Sequence, residues 1–91
     1  MRFENINHDC GWQRLLYVTE SGKPAEFFPS VHCHSPGGMK TEEKLRLLED
    51  EVGVYVFKFY FGRAGKYVFI FFESDQPQLI AIITVKNNAR N

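Results

Sequence analysis

Residues 52–86 decide the fold of this chain and read VGVYVFKFYFGRAGKYVFIFFESDQPQLIAIITVK. Three runs in this stretch, residues 52–61, 66–73 and 79–86, are dense in Val, Ile, Phe and Tyr, the side chains that fit a pleated surface. The two breaks between the runs consist of turn-forming residues. Because connections this short join neighbouring antiparallel strands, the stretch predicts a three-stranded meander.

Both faces of the predicted meander are apolar. Along the first strand, Val54 and Val56 lie on one face and Tyr55 and Phe57 on the other. An antiparallel sheet with one solvated face would instead alternate apolar and polar residues. We therefore expect both faces to be covered, by the rest of the chain together with a second copy or a protein partner. The predicted contact face, or its reverse, consists of Tyr55, Phe57, Phe59, Tyr67, Phe69 and Phe71.

The N-terminal part of the chain is less regular. Residues 2–8 are predicted as a frayed terminus or an edge strand, and residues 12–19 as a strand. Residues 24–34 leave two alternatives open. Pro24 suits the first position of a short helix that Pro29 would end, whereas an edge strand would also tolerate proline.

Residues 41–50, TEEKLRLLED, predict the main helix. Thr41 can cap it, and the two glutamates that follow lie at the positive end of its dipole. Leu45 and Leu48 share one face, through which so short a helix would have to dock on the sheet. The predicted fold class is therefore α+β: a small single domain, residues 1–91, with one main helix and an antiparallel sheet that ends in the three-stranded meander.

Composition excludes several classes of protein. Lys and Arg together number 11, as do Asp and Glu, so no net charge attracts the chain to nucleic acid or to an acidic membrane. No apolar run approaches the roughly 20 residues that span a bilayer. The N-terminus lacks the apolar segment of a signal peptide, which predicts a cytoplasmic protein. Two cysteines do not make a disulfide framework.

All histidines and cysteines fall in two triplets, His8-Asp9-Cys10 and His32-Cys33-His34. On a strand, His32 and His34 would share a face and could hold zinc, with His8 or Cys10 completing the set. Neither triplet has an established zinc spacing, and surface histidines with a buried cysteine explain the pattern better than a metal site does. We assign no metal and no cofactor to the chain.

A basic and aromatic set follows the meander. Such residues can hold phosphates and stack on bases, or they can be strand-end charges that keep sheet edges soluble. The motifs of serine hydrolases, P-loop proteins, dinucleotide-binding proteins and zinc peptidases are missing from the sequence. The members of the set are Lys58, Tyr60, Arg63, Lys66, Tyr67 and Lys86.

Residues 17–28, YVTESGKPAEFF, resemble the opening of phage-derived, HigB-like toxins of the RelE superfamily. Residues 53–72 and 83–86 are similar to the closing meander of those proteins. The resemblance implies cleavage of messenger RNA, commonly on the ribosome, and inhibition by an antitoxin. The sequence departs from the family at Val56 and Val68, where acidic and arginine residues are usual, and in lacking long helices before the meander.

The resemblance implies a role for each member of the basic and aromatic set. Lys58 stands where the family often has an arginine, and Lys58, Arg63 and Lys66 would hold phosphates while the 2′-hydroxyl attacks the adjacent phosphorus. Tyr67 would stack on or orient a base, and these four residues form the predicted catalytic set. Tyr60 and Lys86 are predicted to bind RNA. The alternative is a non-enzymatic homodimeric module that recognises a protein or a small apolar ligand through its aromatic sheet face.

Overall fold

The structure is a computed structural model that describes residues 1–7 and 11–86. This part of the chain has eight β-strands, with a 3₁₀ turn at Glu20–Gly22 between the second and the third. The first sheet has the strand order β1-β2-β6-β5 and the second has the order β4-β3-β7-β8, and every pairing is antiparallel. The strands are β1 Arg2–Asn7, β2 Trp12–Val18, β3 Pro29–His34, β4 Lys40–Lys44, β5 Arg46–Leu47, β6 Val54–Tyr60, β7 Gly65–Glu73 and β8 Gln76–Val85.

The two sheets pack face to face around an aromatic core. Alternate residues of β2, β3, β6 and β7 point inward, as the period of two requires, and join one buried cluster. Phe57 lies with its ring centroid 5.9 Å from those of both Phe69 and Phe71, and Tyr17 stacks on Phe71 at 5.0 Å. Contacts of this kind across the layers make the chain an antiparallel β-sandwich.

The predicted main helix is wrong, and the α+β fold class with it, because the described residues contain no α-helix. Within residues 41–50, β4 pairs with β3 and β5 pairs with β6. Between the two strands, Leu45 is fully buried and its N–H donates to the carbonyl of Pro29, so the chain crosses from one sheet to the other at this residue. A ten-residue helix is marginal by itself, and strand pairing on both sides of Leu45 replaces it.

The predicted meander is also wrong in its pairing, although its three strands exist. Strands β7 and β8 form an antiparallel hairpin, but β6 pairs with β2 and belongs to the opposite sheet. The loop after β6 therefore crosses between the layers. The aromatic residues on its two sides become the two halves of one core.

Residues 24–34 contain a strand, which was one of the two predicted alternatives, but its position in the sheet differs from the prediction. Strand β3 begins at Pro29 and lies between β4 and β7, so it is a central strand rather than an edge strand. Proline is compatible with the first residue of a strand. Residues 2–7 take the edge-strand alternative as β1, next to β2.

The six aromatic residues that were predicted as a contact face are enclosed by the chain. Five are buried, and Phe59 is partly buried against the same core. The reverse face of β7 and its neighbour β8 stays on the outside, and Ile80 and Ile82 of β8 are 62% and 58% exposed.

Candidate functional site

A cavity of about 660 Å³ opens where β6 ends and β7 begins. Strand β5 pairs with β6 only at Tyr55 and Val56, so in the described part of the chain the last residues of β6 have no neighbouring strand on that side. The edge of the other sheet, strand β4, forms the opposite wall. The lining residues are Trp12, Ser35, Pro36, Gly37, Met39, Thr41, Glu43, Lys58, Phe59, Tyr60, Gly62, Arg63 and Tyr67.

An aromatic pair forms one side of the cavity. Trp12 and Tyr60 are cross-strand partners on β2 and β6, with ring centroids 5.2 Å apart and about half of each residue exposed. The Tyr60 ring lies against Gly11 and Gly62, and a Cβ atom at Gly11 would come within 2.8 Å of it. Two glycines and the indole therefore hold the phenol ring at the rim, where its other surface is open to a ligand.

Arg63 reaches from the loop after β6 to the loop between β3 and β4. A Cβ atom at Gly37 would lie 2.7 Å from Arg63 Nη1, and one at Gly65 would lie 2.5 Å from Pro36 Cγ. The two loops are therefore in direct contact, and glycine at residue 37 leaves the space that the guanidinium occupies. No carboxylate lies within 4.0 Å of the side-chain nitrogens of Arg63 or Lys58 among residues 1–7 and 11–86.

Tyr67 supports the loop that carries Arg63. Its hydroxyl donates to the Arg63 carbonyl oxygen at 2.7 Å and accepts from the Arg63 N–H at 3.3 Å. The residue is only 2% exposed, and its ring packs edge-on against Phe61 at 4.7 Å. Tyr67 therefore fixes the conformation of the loop from within the core.

Glu43 is the carboxylate of the cavity lining. It lies opposite Val31 in the register of β3 and β4, on the side of β4 that faces the interior. Burial raises the pKa of the Glu43 carboxyl, and the positive charge of Arg46 opposes that rise. The hydroxyl of Thr41, on the same strand, can donate a hydrogen bond to an anion.

The structure separates the predicted site residues into two groups. Lys58, Tyr60, Arg63 and Tyr67 line the same cavity. Lys66 is exposed on β7 opposite Thr84, outside that lining, and Lys86 follows β8.

Sequence reasoning missed the contributions of other elements to this site. Trp12, the single tryptophan of the chain, comes from the strand paired with β6, and Thr41 and Glu43 come from the segment predicted as a helix. The one available signal was the pair of glycine-containing loops, residues 35–38 and 62–65, whose contact depends on the tertiary fold.

The structure describes only one of the two His/Cys triplets. The triplet His8-Asp9-Cys10 lies outside the described residues. In the other triplet, Cys33 is buried in the core while the histidines lie on the outer face of β3. His32 Nε2 is 3.3 Å from Glu42 Oε2, and its ring is 4.5 Å from that of Phe72. Among residues 1–7 and 11–86 no three His, Cys, Asp or Glu side chains are grouped to hold a metal ion.

These features define a small antiparallel β-sandwich with a ligand-sized cavity at one end. Within the described residues there is no helix of the length and apolar character needed to cross a membrane. No family model matches the chain, and neither the curated proteins nor the solved structures contain a significant match to it.

Proposed function

We propose that the domain is a non-enzymatic binding module that holds a small organic anion with a planar ring in the cavity at the end of the sandwich. The observation that carries the proposal is the presence of two cations, Lys58 and Arg63, beside the half-exposed rings of Trp12 and Tyr60. A volume of about 660 Å³ lies within the range of small-molecule sites in proteins.

Each part of the lining has a role in this binding. The Trp12 and Tyr60 rings offer apolar surface for an aromatic ligand, which gains from stacking beyond the area it buries. The Arg63 guanidinium can donate two parallel hydrogen bonds to a carboxylate or phosphate, and Lys58 adds a point charge. Because neither cation has a carboxylate partner in the described residues, no ion pair must be broken before the anion binds.

This proposal retains the non-enzymatic alternative from the sequence but places the ligand in the cavity rather than on the aromatic sheet face. The aromatic face of the sheets is enclosed in the core, so an outside ligand meets aromatic surface at the cavity instead. Cleavage of messenger RNA, an antitoxin partner and a cytoplasmic location stay predictions. The burial of Tyr67 does not favour base stacking by that residue, and Lys66 lies outside the cavity lining.

The proposal is tested by titrating labelled protein with 2-naphthoate and, as a neutral counterpart, 2-naphthamide. We expect the naphthoate to shift the NMR signals of the Trp12 indole N–H and the backbone amides of Gly37 and Arg63. Arg63→Gln should weaken naphthoate binding about tenfold, the effect of one charge-assisted hydrogen bond. Lys66→Gln removes the same charge outside the cavity and is the matched control.

Results of two kinds, from the binding titration and from an RNA cleavage assay, would overturn the proposal. One is the absence of shifts at millimolar naphthoate, or an equal loss of affinity in the Lys66→Gln control. The other is cleavage of an oligoribonucleotide by the wild-type protein that Arg63→Gln abolishes, which would establish the ribonuclease alternative.

A further inference from the structure

The two sheets have four edge strands, and three of them are protected against pairing with another chain. Strand β4 carries charged residues at four of its five positions, in the sequence KTEEK. Strand β1 carries the ion pair of Arg2 and Glu4, with Nε and Oε2 2.7 Å apart. Strand β5 has only two residues. Charge and short length are the usual means by which proteins protect exposed sheet edges.

The fourth edge, strand β8, lacks this protection along most of its length. Its ten residues, QPQLIAIITV, include no charged side chain. Pro77 and a bulge opposite it, between Phe71 and Phe72, interrupt only its beginning. From Leu79 to Val85 the pairing with β7 is regular, so alternate backbone N–H and C=O groups point away from the sheet and are available to a further strand.

We propose that β8 pairs with β8 of a second copy of this chain, antiparallel about a two-fold axis near Ala81. The pairing would join two four-stranded sheets into one of eight strands. With Ala81 on the axis, Ile80 of each copy lies opposite Ile82 of the other. The two side chains lie on the same face, because residues directly opposite each other in an antiparallel pair point to the same side of the sheet. The exposed isoleucines then form cross-strand apolar pairs.

The charges at the two ends of β8 select a second copy as the occupant. The hairpin end carries Glu73 and Asp75, and the opposite end carries Lys66 and Lys86. Antiparallel pairing about the axis brings the acidic end of each copy beside the basic end of the other. A parallel arrangement would instead bring like charges together. A different protein would match equally well only if its edge strand carried acidic and basic ends in the same order.

The same geometry explains why assembly stops at two copies and leaves the cavity open. A two-fold axis uses each β8 edge once, and the charged strand β4 is the other edge of the enlarged sheet. The cavity lies on the β4 side of the sheet, at the opposite edge from β8. Self-association is thus independent of the proposed ligand binding.

The test combines light scattering with hydrogen exchange at two concentrations. We expect the mass of a dimer at about 200 µM. A concentration this high is needed because one strand pair with its flanking side chains is a small interface. Alternate β8 amides should exchange more slowly at about 200 µM than at about 5 µM, whereas amides of the edge strand β1 should not change. Ile82→Lys should weaken the dimer by about tenfold or more, because the two-fold axis places the new lysine of each copy in the interface.

Ile6→Lys is the matched control, since it places the same charge at an exposed isoleucine on the edge strand of the other sheet. Ile80→Lys is a second variant of the proposed interface and should act as Ile82→Lys does. A wild-type protein that is monomeric at about 200 µM overturns the inference. So does a dimer whose β8 amides exchange as fast as in the dilute sample, or one that Ile6→Lys weakens as much as Ile82→Lys.

Discussion

Tyr17→Phe removes one hydroxyl that links the two sheets at the end opposite the cavity. The hydroxyl donates to Glu73 Oε2 at 2.8 Å and lies 3.2 Å from Met1 Sδ, while the buried ring stacks on Phe71. A hydrogen bond to a charged group contributes about 1.5–3 kcal/mol. Because Glu73 is only half-buried and can regain water, we expect a loss of about 1–2 kcal/mol in the free energy of unfolding near neutral pH.

The same hydroxyl predicts a pH dependence. Burial, followed by the hydrogen bond to Glu73 and the charges of Glu73 and Tyr55, raises the pKa of Tyr17 well above its ordinary value of about 10. The folded state therefore holds this proton more tightly than the unfolded state. The resulting stability is complete below about pH 10 and is lost above it, by about 1.4 kcal/mol per pH unit, until the folded-state pKa is reached.

Urea unfolding followed by circular dichroism, at about pH 7.5 and about pH 11, measures both effects. The gap between wild type and Tyr17→Phe should be about 1–2 kcal/mol at the lower pH and close to zero at the higher pH. Tyr60→Phe is the control, since that residue is half exposed and its hydroxyl makes no protein hydrogen bond within the described residues. A gap that stays constant between the two pH values would refute the reasoning.

Two further predictions concern the backbone and the core. Gly53→Ala should cost about 3 kcal/mol or more, because Gly53 has a φ of 80° and a Cβ atom there would lie 2.5 Å from the backbone of Gly22. Gly38→Ala, at a φ of 89° with open space around it, should cost only about 1–2 kcal/mol, and equal losses in thermal or urea unfolding would contradict this. Phe69→Ala should cost about 3–5 kcal/mol, because the residue is fully buried among aromatic rings, and a loss below about 1 kcal/mol would show that the core can collapse around it.

The candidate site was predictable only in part. Lys58 and Arg63 stood out because charge is unusual in so apolar a stretch, and the structure brings both to one cavity. Lys66 stood out for the same reason, yet its side chain lies outside the cavity lining. The position of a residue near a turn does not show whether its side chain reaches the cavity, because the strand after the turn can belong to the other sheet. The contribution of Glu43 was hidden because its segment was expected to be helical.

Local sequence determined where most of the strands are. The β-branched and aromatic runs near residues 12–18, 54–60, 65–73 and 76–85 are strands because such side chains suit a pleated surface, and the turn residues between them end each run. These properties depend on each residue and its immediate neighbours, which the sequence displays directly.

Only the tertiary structure decided which strands are partners. A short glycine-containing loop can close a hairpin or carry the chain across to a second layer, and the choice after β6 depends on whether β2 or β7 offers the better partner. Likewise, residues 40–47 are strands because β3 and β6 supply hydrogen bonds on either side of the buried Leu45. Both outcomes are set by contacts between distant segments, whose free energies exceed the small local preference for a short helix or a tight hairpin.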